Sequence, residues 1–136
     1  MCVEIEKSFI VESKTFVFSV LDGASTLRVG EKRKSFSGVI FISPSCSEWL
    51  ASTLESLVGV PEDQAFIKSF REGSRVLIAR RGCNQAGRFL EEASFGMGGR
   101  KGFSMIPEGH RGWGWLKFLD ELRKARDYLS TKASCG

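Results

Sequence analysis

The stretch Cys83-Asn84-Gln85-Ala86-Gly87-Arg88-Phe89-Leu90 sets a polar turn between two runs of strand-forming residues. Asn84 and Gly87 tolerate left-handed backbone angles, so residues 84–87 can close a hairpin between 75–81 and 88–95. Both arms are basic or aromatic: Arg75, Arg80 and Arg81 lie on one, Arg88, Phe89 and Phe95 on the other. An antiparallel hairpin of that composition offers cations for phosphate and rings for bases, the two requirements of a single-stranded nucleic acid.

Toward the C-terminus, residues 96–102 read as a glycine-rich loop, 101–106 as a strand closed by Pro107, and 109–114 as a glycine-rich entry to a helix over 115–129. Trp115, Phe118, Leu119, Leu122, Ala125 and Leu129 recur at helical spacing and mark its buried stripe. Toward the N-terminus, 60–73 is a connection in which 65–70 can form a short strand. Ser45-Cys46-Ser47-Glu48 has capping-box form and predicts a helix over 46–58, with Ser45 as cap and Trp49, Leu50, Leu54 and Leu57 on its apolar side. Before it, 38–43, 26–31 and 15–21 read as strands. Asp22-Gly23 is a hairpin-turn signal, and Lys32-Arg33-Lys34 fits a loop or strand end.

The order of three strands, a proline and a tryptophan-bearing helix therefore occurs twice, at about 14–58 and about 75–129, joined by a linker over about 59–74. With 136 residues, 42% of them hydrophobic, the chain suits one α+β domain in which two such halves share a core. A three- or four-stranded sheet with one helix leaves rings such as Phe16, Phe18, Phe41, Phe89, Phe95 and Phe103 uncovered. Burying a phenylalanine is worth roughly 1.5–3 kcal/mol, so the halves are expected to pack together.

Net charge is +4, and it is unevenly spread. Between positions 68 and 111 stand nine Lys or Arg residues against four acids, an excess centred on the hairpin. Cysteines at 2, 46, 83 and 135 form no Cys-x-x-Cys pair, and with His110 the single histidine, no metal site is expected. The opening residues lack a basic and apolar leader pattern and no run approaches a membrane span, so a soluble, intracellular protein with no membrane partner is expected.

Residues 84–90, the following glycine-rich loop and Trp115-x-x-Phe118-Leu119-x-x-Leu122 together resemble the PUR repeat of the purine-rich-element-binding proteins. The resemblance covers about 14–129 and is specific in the second half, while in the first half it is one of layout. It implies β-β-β-β-α repeats, two of which intertwine into one domain related in fold to the Whirly single-stranded-DNA binders. A nuclear location and a role in transcription regulation are implied with it. The family motif is Lys-x-Asn-x-x-Gly-Arg followed by an aromatic. Asn84, Gly87, Arg88 and Phe89 match, whereas Gly82 stands at the lysine position with Arg81 beside it. The corresponding turn of the first repeat, 21–26, keeps neither the Asn nor the Gly-Arg, so any binding face is expected to be asymmetric. The long Gly109-His110-Arg111-Gly112-Trp113-Gly114 segment looks like a lineage variant of a plant or retroelement-derived kind.

The residues expected to contact single-stranded DNA or RNA are Arg80, Arg81, Asn84, Gln85, Arg88, Phe89, Arg100 and Lys101. Arg88 and Asn84 suit phosphate or base edges, and Phe89 or Phe95 suits stacking. Because side chains alternate along a strand, Arg88 and Phe89 must face opposite ways. Trp113 reads as the edge of the core or as an exposed stacking residue, the former favoured. Glu91 and Glu92, adjacent on a strand, cannot form a catalytic pair, and no motif supports a nucleophile or a nucleotide cofactor, so neither catalysis nor a cofactor is expected. The competing expectation is a protein-interaction or homodimerisation module that keeps the scaffold without nucleic-acid contacts.

Overall fold

A computed structural model describes residues 3–21, 26–33 and 36–135. The first half supplies β1 (Val3–Val11), β2 (Lys14–Leu21), β3 (Leu27–Arg33), β4 (Phe36–Ile42) and α1 (Pro44–Val58). The second supplies β5 (Ile67–Glu72), β6 (Arg75–Asn84), β7 (Gly87–Gly96), β8 (Gly99–Pro107), a 3₁₀ turn (His110–Gly112) and α2 (Trp113–Cys135). The strands form two antiparallel four-stranded sheets, each in chain order, so the class is α+β.

Several local expectations need correction. Each half has four strands, as the resemblance implies, where local pattern shows three in order before each helix: β1 lies ahead of residue 14, and β5, close to the short strand expected at 65–70, falls within the stretch read as a linker. The cap of α1 is Ser43, not Ser45. Its hydroxyl accepts from the Cys46 N–H at 3.1 Å, and Pro44 takes the first helical position, where a missing N–H costs nothing. The glycine-rich loop shrinks to the turn between Gly96 and Gly99, because β7 and β8 pair to their ends. The Asp22-Gly23 turn lies outside the described residues.

Each helix makes ring contacts with the sheet of the other half. Phe118 of α2 meets Phe9, Phe16 and Phe18 of the first sheet edge-on, with ring centroids 5.9, 5.1 and 5.2 Å away. Trp49 of α1 stacks on Phe70 of β5 at 5.5 Å. Glu55 and Arg123 pair across the two helices.

The sheets cross where β4 passes β8, and the contact is nearly two-fold. A Cβ on Gly38 would lie 2.8 Å from the Phe103 carbonyl oxygen, and one on Gly102 would overlap the Val39 carbonyl oxygen. Reciprocal side chains fasten the crossing. Lys14, the first residue of β2, donates to the Met105 carbonyl at 2.7 Å, and Arg75, the first residue of β6, donates to the Phe41 carbonyl at 2.7 Å. Glu31 completes the Lys14 clamp, accepting from Lys14 and from the Met105 N–H, both at 3.1 Å. The buried pair thereby satisfies a peptide group that the edge of β8 would leave open.

Candidate nucleic-acid interface

Register fixes which side chains share each face of the second sheet. Leu77, Ala79, Leu90 and Ile106 are buried on the inner face. On the outer face the pairing sets Arg71, Val76, Phe95 and Arg100 in one row, then Ser69, Ile78, Ala93 and Phe103, then Ile67, Arg80, Glu91 and Met105, then Gly82, Phe89 and Pro107. This face is only partly covered: Ile67, Arg71, Arg80, Phe95 and Arg100 are exposed, and Phe89 and Phe103 are half-buried. Arg100 lies over the Phe103 ring at 4.5 Å, a cation–π contact that keeps a guanidinium on the aromatic surface. Glu91 is the one carboxylate in those rows, and it pairs with Arg80 at 3.1 Å. Lys101 is the extra residue of the bulge opposite Phe95, and its stem folds toward Gly96 and Gly98.

The hairpin tip forms as expected. Asn84 pairs with Gly87 across a tight turn, and the Asn84 side-chain oxygen accepts from the Ala86 N–H at 2.9 Å. Gln85 is exposed at the tip. Gly82 has a positional reason: the Phe89 ring fills the space above it, 2.6 Å from where a Cβ would stand. A lysine at this position would displace Phe89, so ring and lysine exclude one another here.

Arg88 and Arg81 do not join the outer face. Arg88 donates through Nε to Glu108 at 2.6 Å, its Nη2 lies 2.6 Å from the same carboxylate, and its Nη1 lies 2.6 Å from Glu62. Those carboxylates, Glu108 foremost and then Glu62, hold the guanidinium further above its ordinary value. Arg81 donates to the carbonyls of Val60 at 3.1 Å, Pro61 at 2.7 Å and Gln64, tying down the loop between α1 and β5. Neither partnership is visible in the sequence: Arg81 and the Glu62 contact of Arg88 depend on how that loop folds back, and Glu108 reaches Arg88 from the segment after β8. Arg88, Asn84 and Phe89 line a groove of about 740 Å³ with Lys14, Glu12 and Glu62. Its carboxylates disfavour a phosphate, whereas the outer sheet face carries Arg71, Arg80 and Arg100 with one carboxylate.

Phe95, named as a stacking alternative to Phe89, lies on this face, and the residues the sequence reading missed are Arg71 and Phe103. Counting alternately from Phe89 reaches Phe95, but the bulge at Lys101 breaks the count before Phe103. Trp113 is 65% exposed and not at the edge of the core. It precedes the buried stripe of α2, which begins at Trp115, whose indole N–H donates to the Ile106 carbonyl at 2.9 Å.

Beneath the outer face, Glu92 is buried, and burial pushes its carboxyl up to about 8 although Arg75 pulls the other way. Neither of its oxygens, nor the hydroxyls of Ser94 and Ser104, has a hydrogen-bond partner among the described residues. Cys46 is also buried, and burial first, then Glu92, raises its thiol. Cys83 is exposed. No group of three or more His, Cys, Asp or Glu among the described residues could hold a metal ion, and no described helix is long and apolar enough to cross a membrane. No family model matches the sequence, and no curated protein matches it.

Proposed function

We propose that this chain is a single-stranded nucleic-acid-binding module on a PUR-like scaffold, with the outer face of the second sheet as its binding surface. The observation that carries the reading is that face: Phe89, Phe95 and Phe103 stand among Arg71, Arg80 and Arg100 with a single carboxylate. Unstacked bases lie on the rings, and the arginines neutralise the backbone. Two β-β-β-β-α halves with exchanged helix contacts agree with the PUR-like arrangement, and the absence of the Asn and Gly-Arg from residues 21–26 makes the module one-sided.

Anisotropy titrations with labelled single-stranded DNA and RNA at two salt concentrations test the reading. Binding should weaken with salt, be poorer for duplexes, and fall about five-fold or more in Phe103→Ala, the loss typical of one stacked base. Arg100→Ala should cost more than Arg88→Ala, since Arg88 already serves two carboxylates. Salt-independent or absent binding refutes the proposal.

A further inference from the structure

We infer that the turn carrying His110, Arg111 and Trp113 is a second contact for the same strand, with the Trp113 indole as a stacking platform for one base. This rests on the nucleic-acid reading above and extends it to a surface outside the second sheet.

Trp113 is the most exposed aromatic side chain among the described residues, and the backbone beneath it is fixed. Gly114 follows it in a cradle where a Cβ would overlap the Pro107 carbonyl oxygen, and the Gly114 N–H donates to the Glu108 carbonyl at 2.7 Å. Trp115 is buried and hydrogen-bonded one residue later. On the other side, Arg111 adopts a left-handed conformation with φ 54°, which a residue with a side chain rarely takes. The ring is thus presented by a rigid support, so a stacked base orders little that is not already ordered.

The surroundings select the ligand. His110 and Arg111 are exposed just before the ring, and Lys117 is exposed one turn after it on the same side of α2. No carboxylate occurs in the sequence from Gly109 to Leu119, while in space Glu121 lies 3.7 Å from Lys117 and Glu12 approaches the backbone at Gly109, so Arg111 is the cation best placed for a phosphate. An exposed indole beside the Arg111 guanidinium, with the exposed Leu116 as apolar company, suits a flat aromatic group bearing negative charge, as a nucleotide does. It presents too little apolar surface to anchor in a bilayer. Gly109 at the start of this turn also lines the groove at the hairpin tip, which Phe89, Met105 and Pro107 connect to the outer sheet face. One strand can reach both surfaces by following the Phe89, Met105 and Pro107 rim of that groove, with its phosphates turned away from Glu12, Glu62 and Glu108.

The test uses the full chain and single-stranded oligonucleotides long enough to leave the sheet face. Trp113→Ala should weaken binding about five- to a hundred-fold, and Trp113→Phe should recover most of the loss. Oligonucleotide should quench the intrinsic fluorescence of the wild-type protein and leave that of Trp113→Phe nearly unchanged. If Phe103→Ala weakens binding while Trp113→Ala and the quenching experiment show nothing, the inference falls and the sheet-face reading stands. If no variant and no oligonucleotide gives binding, both fall. Binding to phosphatidylserine vesicles with a blue shift of Trp113, and none to oligonucleotides, overturns it in favour of a membrane surface.

Discussion

Glu92 and Glu121 show how single buried carboxylates set the conditions under which the fold holds. For Glu121, burial pushes the carboxyl up, yet the bonds from Lys7 and Lys124 outweigh it and hold the group below its usual range. Its contribution is present above the unfolded value and is lost as pH falls. Glu92 has the opposite sign. Its folded-state value of about 8 exceeds the ordinary 4.5, so between those limits the folded protein keeps a proton that the unfolded chain has released. Stability therefore declines as pH rises from about 5 to 8, by as much as several kcal/mol. Urea midpoints measured at pH 5.5, 6.5, 7.5 and 8.5 should fall steadily, and Glu92→Gln should remove most of the slope. An unchanged slope in that variant would assign the effect to another group.

At the scale of elements, the crossing of β4 and β8 is the demanding contact, because at Gly38 and Gly102 it sets backbone against backbone. Gly102→Ala should destabilise by about 1–3 kcal/mol or more and lower Tm by several degrees. Gly30→Ala, whose Cβ would meet the Arg28 side chain at 3.4 Å and the Val17 carbonyl oxygen at an ordinary 3.9 Å, should be neutral or mildly stabilising. The sequence shows the hairpin β6–β7, both helices and the duplication, because local turn chemistry and apolar spacing carry those features. It hides β1 and shows β5 only as a short run inside a connection, for one shared reason. Lys7 of β1 and Lys68 of β5 pair with the inward residues Phe18 and Ala79, so a charge interrupts the alternation that would announce a strand. At a free sheet edge such a lysine keeps contact with solvent, and the partly exposed Lys7 meets the buried Glu121 at 2.7 Å. The candidate site divides in the same way: Asn84 and Phe89 are legible from the turn, whereas the partners of Arg88 at 62 and 108 come from distant loops.

The molecule as a whole has no dividing line along which its halves could part. Phe118 completes the aromatic cluster of the first sheet, Trp49 covers Phe70 on the second, and Lys14 and Arg75 each close the edge strand of the opposite half. A fragment ending near Gly59 would leave Phe9, Phe16 and Phe18 without Phe118. Each ring forfeits roughly 1.5–3 kcal/mol if exposed, a large share of the 5–15 kcal/mol that usually holds a domain. The halves must then unfold together. Tryptophan emission, which reports on both helices through Trp49 and Trp115, and the far-ultraviolet signal of the two sheets should trace one coincident denaturation curve. Gly102→Ala should move both probes equally, because the crossing belongs to neither half alone. Two separated transitions, or a folded fragment spanning residues 1–60, would show instead that the repeats are autonomous and that the exchanged contacts only dock them.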